Sequence, residues 1–277
     1  MQIGFLGGGN MARAMIQGLL RQGFSASQLR VGEPVAAQRD RLQREFGVVA
    51  HTDNHAAVAQ AALVVLAVKP QQTQKLLAEL RPALQLQRPL LLSIVAGPRT
   101  ADLAASCRGV AVVRAMPNRA ALVGVGATAL YAAAGVSGPA RALAERVCAA
   151  VGCTVWVQRE SDLDIVTALS GSGPAYFFLL AEQLAAAAVR QGLDAATAEL
   201  LARQTLRGAG ALAAGTTTLA QEREAVTSQG GTTAAALAVL QAGGFDKLVD
   251  GALAAAAQRS AALAAQFGRP GNSVPTD

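Results

Sequence analysis

Residues 1–16 read MQIGFLGGGNMARAMI. Ile3, Phe5 and Leu6 predict a short apolar strand. Gly7-Gly8-Gly9-Asn10-Met11-Ala12 then predicts a tight turn into a helix that runs to about Gln22 and is stopped by Gly23. The spacing is G-x-G-x-x-A. In such a pattern the first glycine permits the turn and the second lets the backbone approach a pyrophosphate. The small third residue lets the helix pack on the strand, and the unsatisfied N–H groups at the helix start face the phosphates. This reading places Leu6, Gly7, Gly8, Gly9, Asn10 and Met11 against a dinucleotide. The alternative is a tight glycine turn in an unrelated α/β fold.

Outward from this stretch the first half alternates strand and helix. Strands are predicted over 29–33, 48–50, 63–68, 90–95 and 110–114. Helices are predicted over 35–46, 54–61, 70–80 and 100–106. The run 63–68 is apolar without alternation, as in a strand buried on both faces. A βαβ series of this kind predicts a Rossmann-type, doubly wound parallel sheet. A further strand (126–131), helix (138–150) and strand (154–157) follow.

From about Ser161 strand signals vanish, and Ser161-Asp162-Leu163-Asp164 reads as a helix start with acids in its first turn. The expected division is therefore an α/β domain over 1–160, an all-α domain over 161–267 and a disordered Gly/Pro/Ser-rich tail over 268–277. The helix from Ala175 to Val189 is apolar on nearly every face, which points to a subunit interface. Two segments, Ser170–Tyr176 and Thr227–Thr233, read as loops that place hydroxyl residues and glycines directly before a helix. Such a start either caps the helix or holds a carboxylate.

Composition narrows the class. The chain has 277 residues, 52% of them hydrophobic, and a formal charge of +6 that is scattered and mostly arginine. It shows no basic run or aromatic platform for nucleic acid and no sustained apolar run, so no membrane span is expected. Met1 leads straight into a strand without a signal-like segment. Cys107, Cys148 and Cys153 lack C-x-x-C spacing and read as reduced cysteines of a cytoplasmic protein. No metal-ligand cluster is read.

FLGGGNMA (5–12), LAVKPQ (66–71), VRAMPN (113–118), GATALYA (126–132), ALSGSGPAYFF (168–178) and VTSQGGTT (226–233) together resemble the pyrroline-5-carboxylate reductase family over about residues 2–266. The resemblance implies a Rossmann domain followed by a helical domain that interlocks with a second copy, with active sites formed between partners. It also implies a homodimer that in some members assembles into a decamer. The implied reaction is hydride transfer from NADPH or NADH to the C=N carbon of 1-pyrroline-5-carboxylate, giving L-proline. It assigns the substrate carboxylate to the backbone N–H groups of Thr232 and Thr233, and the ring nitrogen to the catalytic Thr233 hydroxyl. Ser228, Gly230 and Gly231 shape that loop, and Ser172 with Pro174 lines the opposite wall. Asn54 falls by the adenosine ribose, Ala67, Val68, Lys69 and Pro70 at the cofactor edge, and Asn118 at the cofactor as well. Lys69 either contacts phosphate or is a solvated loop lysine.

The chain departs from the family pattern at Arg119 and Ala120, where Thr-Pro is usual, at Gln229 in place of a proline, and at Val125 in place of a glutamate. These departures bear on substrate range. Glu33, 21 positions after Ala12, is of the type that bonds a ribose 2′-OH, which favours NADH. Arg39 and Arg41 read as too far along the next helix to grip a 2′-phosphate. The competing readings are a relaxed cyclic imine reductase and a non-catalytic cofactor-binding paralogue. A hydroxyacid dehydrogenase is disfavoured because residues 161–190 contain no lysine.

Overall fold

The computed structural model describes residues 1–267; the segment 268–277, expected as a disordered tail, lies outside the described residues. In chain order the first elements are β1 (Gln2–Leu6), α1 (Asn10–Arg21), β2 (Leu29–Gly32), α2 (Ala36–Phe46), β3 (Val49–His51), α3 (His55–Val58), β4 (Ala61–Leu66), α4 (Pro70–Gln87), β5 (Leu90–Ser93), α5 (Thr100–Ser106) and β6 (Val112–Pro117). β7 (Gly126–Ala132), α6 (Gly138–Ala149) and β8 (Gly152–Trp156) complete an eight-stranded sheet of order β3-β2-β1-β4-β5-β6-β7-β8. Strands β3 to β6 pair in parallel. β7 then joins β6 antiparallel, because the connection between them is a short 3₁₀ segment, Arg119–Val123, too brief for a parallel crossover.

Alternation along the strands builds a core on each face. Ile3, Phe5, Leu63, Val65 and Leu92 pack with Met15, Ile16 and Leu19 of α1 and Val147 of α6. Leu6, Val64, Leu66 and Leu91 point the other way, against Leu77, Leu80 and Leu84 of α4 and Leu103 of α5. This second stripe explains why α4 runs to Gln87 rather than ending near Leu80. Pro82 lies inside the helix and removes a backbone bond. Leu84 is nevertheless fully buried, and burying a leucine contributes about 2 kcal/mol. The helix predicted over 54–61 stops at Val58. Gln60 takes a left-handed φ of 59°, and Ala61 already begins β4.

The second half is helical: α7 (Asp162–Val166), a π turn (Thr167–Gly171), α8 (Gly173–Arg190), α9 (Ala195–Leu212), α10 (Leu219–Ala225), α11 (Thr232–Ala242) and α12 (Phe245–Phe267). The chain divides into two compact units, one of Met1–Gly171 with the end of α12 from Ala256, the other of Ser172–Ala255. The first unit therefore runs past residue 160. Leu163 of α7 packs on Met116 and Ala129 of the sheet. Asp164 accepts from Arg99 Nη2 at 2.5 Å and from Ser260 Oγ of α12 at 2.8 Å.

Beside this bond, Arg114 in β6 is 3% exposed and pairs with Glu160 at 2.8 Å. Burial lowers the Arg114 pKa, and the hydrogen bond and charge of Glu160 oppose that shift. Glu160 also accepts from the Thr100 N–H and hydroxyl at 2.6 and 2.9 Å. Cys107 and Cys148 are buried free thiols, pushed up to about 11 and about 12 by desolvation, so they stay protonated and unreactive.

The second unit has little interior of its own. In Ser172–Ala255 the buried residues are Gly173 and Ala198. α8 and α9 line an apolar groove of ≈ 450 Å³ that includes Phe177, Leu180, Leu184 and Leu201, and Phe177 stays 62% exposed. Within the continuous helical stretch Asp162–Arg190 an 18-residue window reaches a mean hydropathy of 1.3, long and apolar enough to cross a membrane by length and composition alone.

Glu160→Ala is expected to destabilise the first unit by roughly 3 kcal/mol, because it leaves the Arg114 charge buried without its partner. Urea unfolding at a fixed protein concentration checks this; a midpoint unchanged from the unmutated chain would contradict it.

Candidate active site

Strand order reverses between β1 and β4, and a cleft of ≈ 710 Å³ opens at their carboxyl ends, where sheets of this type take ligands. Gly7, Gly9, Glu33, Asn54, Ala67, Val68 and Lys69 all line it. Gly7 needs to be glycine on two counts. Its φ is +98°, and a Cβ there would stand 2.8 Å from the Ala67 carbonyl oxygen. Its N–H donates to the Gly32 carbonyl at 2.8 Å, tying the turn to β2. Gly9 is the N-cap of α1, carries no side-chain cap and faces open space. An uncapped helix start with room for backbone approach suits a pyrophosphate, so these residues fit a dinucleotide.

The remaining predicted cofactor residues take other places. The Leu6 side chain is fully buried in the core and its carbonyl accepts from Ala67 N–H at 2.9 Å. Asn10 and Met11 open α1, and Pro70 begins α4. Gly8 donates its N–H to Glu33 Oε2 at 2.8 Å, while Glu33 Oε1 accepts from Val35 N–H at 2.9 Å. The Glu33 carboxylate is thus 5% exposed and braces the glycine turn from the end of β2. Asn118 is held elsewhere: Oδ1 accepts from Ala127 N–H at 3.1 Å, and Nδ2 donates to Ser170 Oγ at 3.2 Å.

Two features of this cleft escaped the sequence reading. Arg39 folds back so that Nη1 donates to the Glu33 and Pro34 carbonyls at 2.9 and 2.8 Å. Its cation therefore sits at the β2–α2 turn rather than along the helix. Gln72, Lys75 and Glu79 of α4 also line the cleft. They form the polar face opposite the buried Leu77, Leu80 and Leu84, and helical spacing was the available signal.

In the helical unit, Gly230 takes φ +70°, and Gly231 leaves only 2.4 Å between a would-be Cβ and Ser228 Oγ. Gly231 is the N-cap of α11, which has no side-chain cap. The first N–H groups of the helix, at Thr232 and Thr233, are thus presented without a capping side chain. The segment Ser170–Tyr176 is not a loop. Helical backbone continues from α7 through the π turn, Ser172 adopts right-handed helical angles, and Pro174 falls in the first turn of α8. The small residues that suggested a loop are accommodated by an expanded helical turn, a device found often at functional sites.

Residues 160–263 match the family described as pyrroline-5-carboxylate reductase dimerisation, and residues 2–97 match NADP oxidoreductase, coenzyme F420-dependent. A pyrroline-5-carboxylate reductase of Pseudomonas aeruginosa is 45% identical over 97% of this chain and 98% of its own length. The chain belongs to the pyrroline-5-carboxylate reductase family. A second member, from Haemophilus influenzae, is 41% identical over 96% of this chain and 98% of its own. The solved structure of the reductase from Coxiella burnetii superposes with a TM-score of 0.90 at 39% identity, covering 95% of this chain and 98% of that one. The reductase of Plasmodium falciparum, solved with NADP bound, gives 0.80 at 26% identity over 95% and 98%. The match at residues 160–263 gives this member of the family a dimerisation domain.

Within the glycine turn, Gly7→Ala is expected to cost about 1–3 kcal/mol through a strained φ and the clash with Ala67. Gly9→Ala, whose Cβ meets open space, leaves the melting temperature unchanged while narrowing the approach to α1. Parallel thermal melts of the two variants check the contrast; equal loss in both would contradict it.

Proposed function

We propose that this chain reduces 1-pyrroline-5-carboxylate to L-proline with NAD(P)H, the last step of proline biosynthesis. The observation that carries the reading is full-length similarity to reductases of that name, joined to an open glycine cradle at the switch point of the sheet. The bound dinucleotide supplies a hydride to the C=N carbon. The chain's own residues supply orientation. Gly7, Gly8 and Gly9 present backbone to the pyrophosphate, with Leu6, Asn10 and Met11 shaping the turn and Ala67, Val68, Lys69 and Pro70 the opposite edge. Thr232 and Thr233 N–H groups, at the uncapped start of α11, bind the substrate carboxylate. Ser228, Gly230 and Gly231 hold that loop, and Ser172 and Pro174 form a wall.

The Thr233 hydroxyl accepts from the ring N–H of the iminium. A protonated cyclic imine is already electrophilic, so no buried general acid is required. In keeping with this, His55 is an exposed side chain bonded to Asp53 at 2.8 Å. Thr233→Ala should lower kcat/KM about 5- to 150-fold, corresponding to roughly 1–3 kcal/mol for a bond to a charged group, and Thr233→Ser should retain most activity. Steady-state assays with synthetic pyrroline-5-carboxylate test the role. Absence of turnover by the unmutated chain would sink the function itself and leave the non-catalytic reading.

Both nicotinamide cofactors are expected to work. The Glu33 carboxylate at the ribose corner and the Arg39 cation beside it act oppositely on a 2′-phosphate, with Asn54 on the adjacent rim. Glu33→Gln should therefore raise the NADPH-to-NADH ratio of kcat/KM by about five- to tenfold, the equivalent of one relieved like-charge contact. An unchanged ratio would mean that Glu33 only braces the turn.

We infer further that the working protein is a homodimer with interlocked helical domains, assembling in turn towards a decamer, in the cytoplasm. Support comes from the exposed apolar side chains of α8 and α9, which a second copy would cover. The apolar stretch Asp162–Arg190 is read the same way rather than as a membrane span. Leu180→Glu should lower assembly and activity together in light scattering and assay. A fully active monomer of the unmutated chain would refute the dimer.

A further inference from the structure

The sequence reading gave Asn118 to the cofactor, yet the amide is engaged at both ends within the first unit. Its backbone carbonyl accepts from Ala121 N–H at 3.1 Å, and Oδ1 accepts from Ala127 N–H at 3.1 Å. These bonds close the turn between β6 and β7 and fix which end of the amide is oxygen. Nδ2 is therefore a donor, and it donates to Ser170 Oγ at 3.2 Å. A hydroxyl that accepts on its oxygen still has one proton to give.

Inside a helical turn that proton usually returns to the carbonyl one turn back. Thr167, in the same π turn, does this: its Oγ1 donates to the Leu163 carbonyl at 2.7 Å. Among the described residues Ser170 has no such acceptor, since its one hydrogen bond is the one it receives from Asn118. Ser170 thus presents a donor whose oxygen is pinned to the end of β6, on an expanded turn of the type found at functional sites. Sheets of this fold receive their ligands at that carboxyl edge.

We propose that Ser170 is a ligand-binding residue of the reduction, donating its hydroxyl proton to an sp² oxygen of the bound pair, and that Asn118 is its positioning residue. The proposal rests on the reductase reading above. Two ligand groups offer that oxygen: the carboxamide of the nicotinamide ring and the carboxylate of the imino acid.

The test uses Ser170→Ala, Ser170→Thr and Asn118→Asp in the full-length protein. It measures the NADH Kd by nucleotide fluorescence, the KM for pyrroline-5-carboxylate and the melting temperature. If the carboxamide is the acceptor, Ser170→Ala weakens NADH by about 3- to 10-fold and leaves the substrate KM alone. If the carboxylate is the acceptor, the loss falls on the substrate KM, exceeds about tenfold and leaves NADH alone. In either case Ser170→Thr restores binding. Asn118→Asp reproduces the Ser170→Ala loss, because a carboxylate beside Ser170 accepts the proton that the ligand would have received.

A merely structural pin predicts the reverse for Asn118→Asp, which keeps both the bond to Ala127 and a bond to Ser170. Full affinity in that variant would overturn the proposal. So would Ser170→Ala with both affinities within about twofold of the unmutated chain. Should Ser170→Ala fail to fold, the Thr and Asp variants still read the direction of the proton. The NADH arm is independent of turnover, so failure of the reductase reading and failure of the Ser170 assignment give different results.

Discussion

The hydrogen bond from Gly7 N–H to the Gly32 carbonyl, 2.8 Å long, joins the turn after β1 to the end of β2. Much of the site depends on it. It holds the chain in a left-handed turn that other residues enter only with strain, and from that turn α1 starts with its N–H groups uncapped. A side chain on the same turn would meet the Ala67 carbonyl after β4, and Ala67 N–H donates to the Leu6 carbonyl at 2.9 Å, so the two strands flanking the switch point are tied together there. Glu33 adds a second tie through Gly8. The carboxylate proposed for the ribose is thereby a structural brace, both of its oxygens accepting from backbone N–H groups.

The two units solve the problem of burial differently. The first has strands whose alternate residues feed separate cores on opposite faces of the sheet, and a buried ion pair, Arg114–Glu160, anchored on the interior strand β6. The second has long helices rich in alanine and exposed leucine and phenylalanine, with almost nothing buried. Apolar surface of that extent is unfavourable in water. The dimerisation match over 160–263 fits such a surface, which on the proposal above a second copy covers. On the proposal above, a second copy supplies the interior of this half of the chain and with it the frame for the loop before α11.

The chemistry places modest demands on side chains. Reducing an iminium needs a held carboxylate, a bonded ring nitrogen and a correctly placed hydride donor. On the reading proposed above, backbone N–H groups at the uncapped starts of α1 and α11 supply two of these recognitions without any ionisable group. The departures at Arg119, Ala120, Val125 and Gln229 remove none of those donors. Arg119 and Ala120 lie in the short 3₁₀ segment that Asn118 closes through its bond from Ala127 N–H.

The sequence by itself determined the family, the Rossmann topology and the glycine cradle, because these rest on local patterns: short apolar strands alternating with helices, a set of loop motifs, and a G-x-G-x-x-A turn whose geometry few residues can adopt. It also marked the loop before α11, where Gly230 takes a left-handed φ and Gly231 packs closely on Ser228. Only the tertiary structure decided the rest. α4 passes through Pro82 because Leu84 has a core to enter. β7 turns antiparallel because its connection is short. Arg39 swings back to the β2 turn because two carbonyls await it. Asn118 points its amide at Ser170 rather than outward because Ala127, nine residues on, claims its oxygen. The direction of β7 follows from the length of its connection, and the others are settled by a partner outside the local repeat or by the rotamer of a long side chain, which no local pattern encodes.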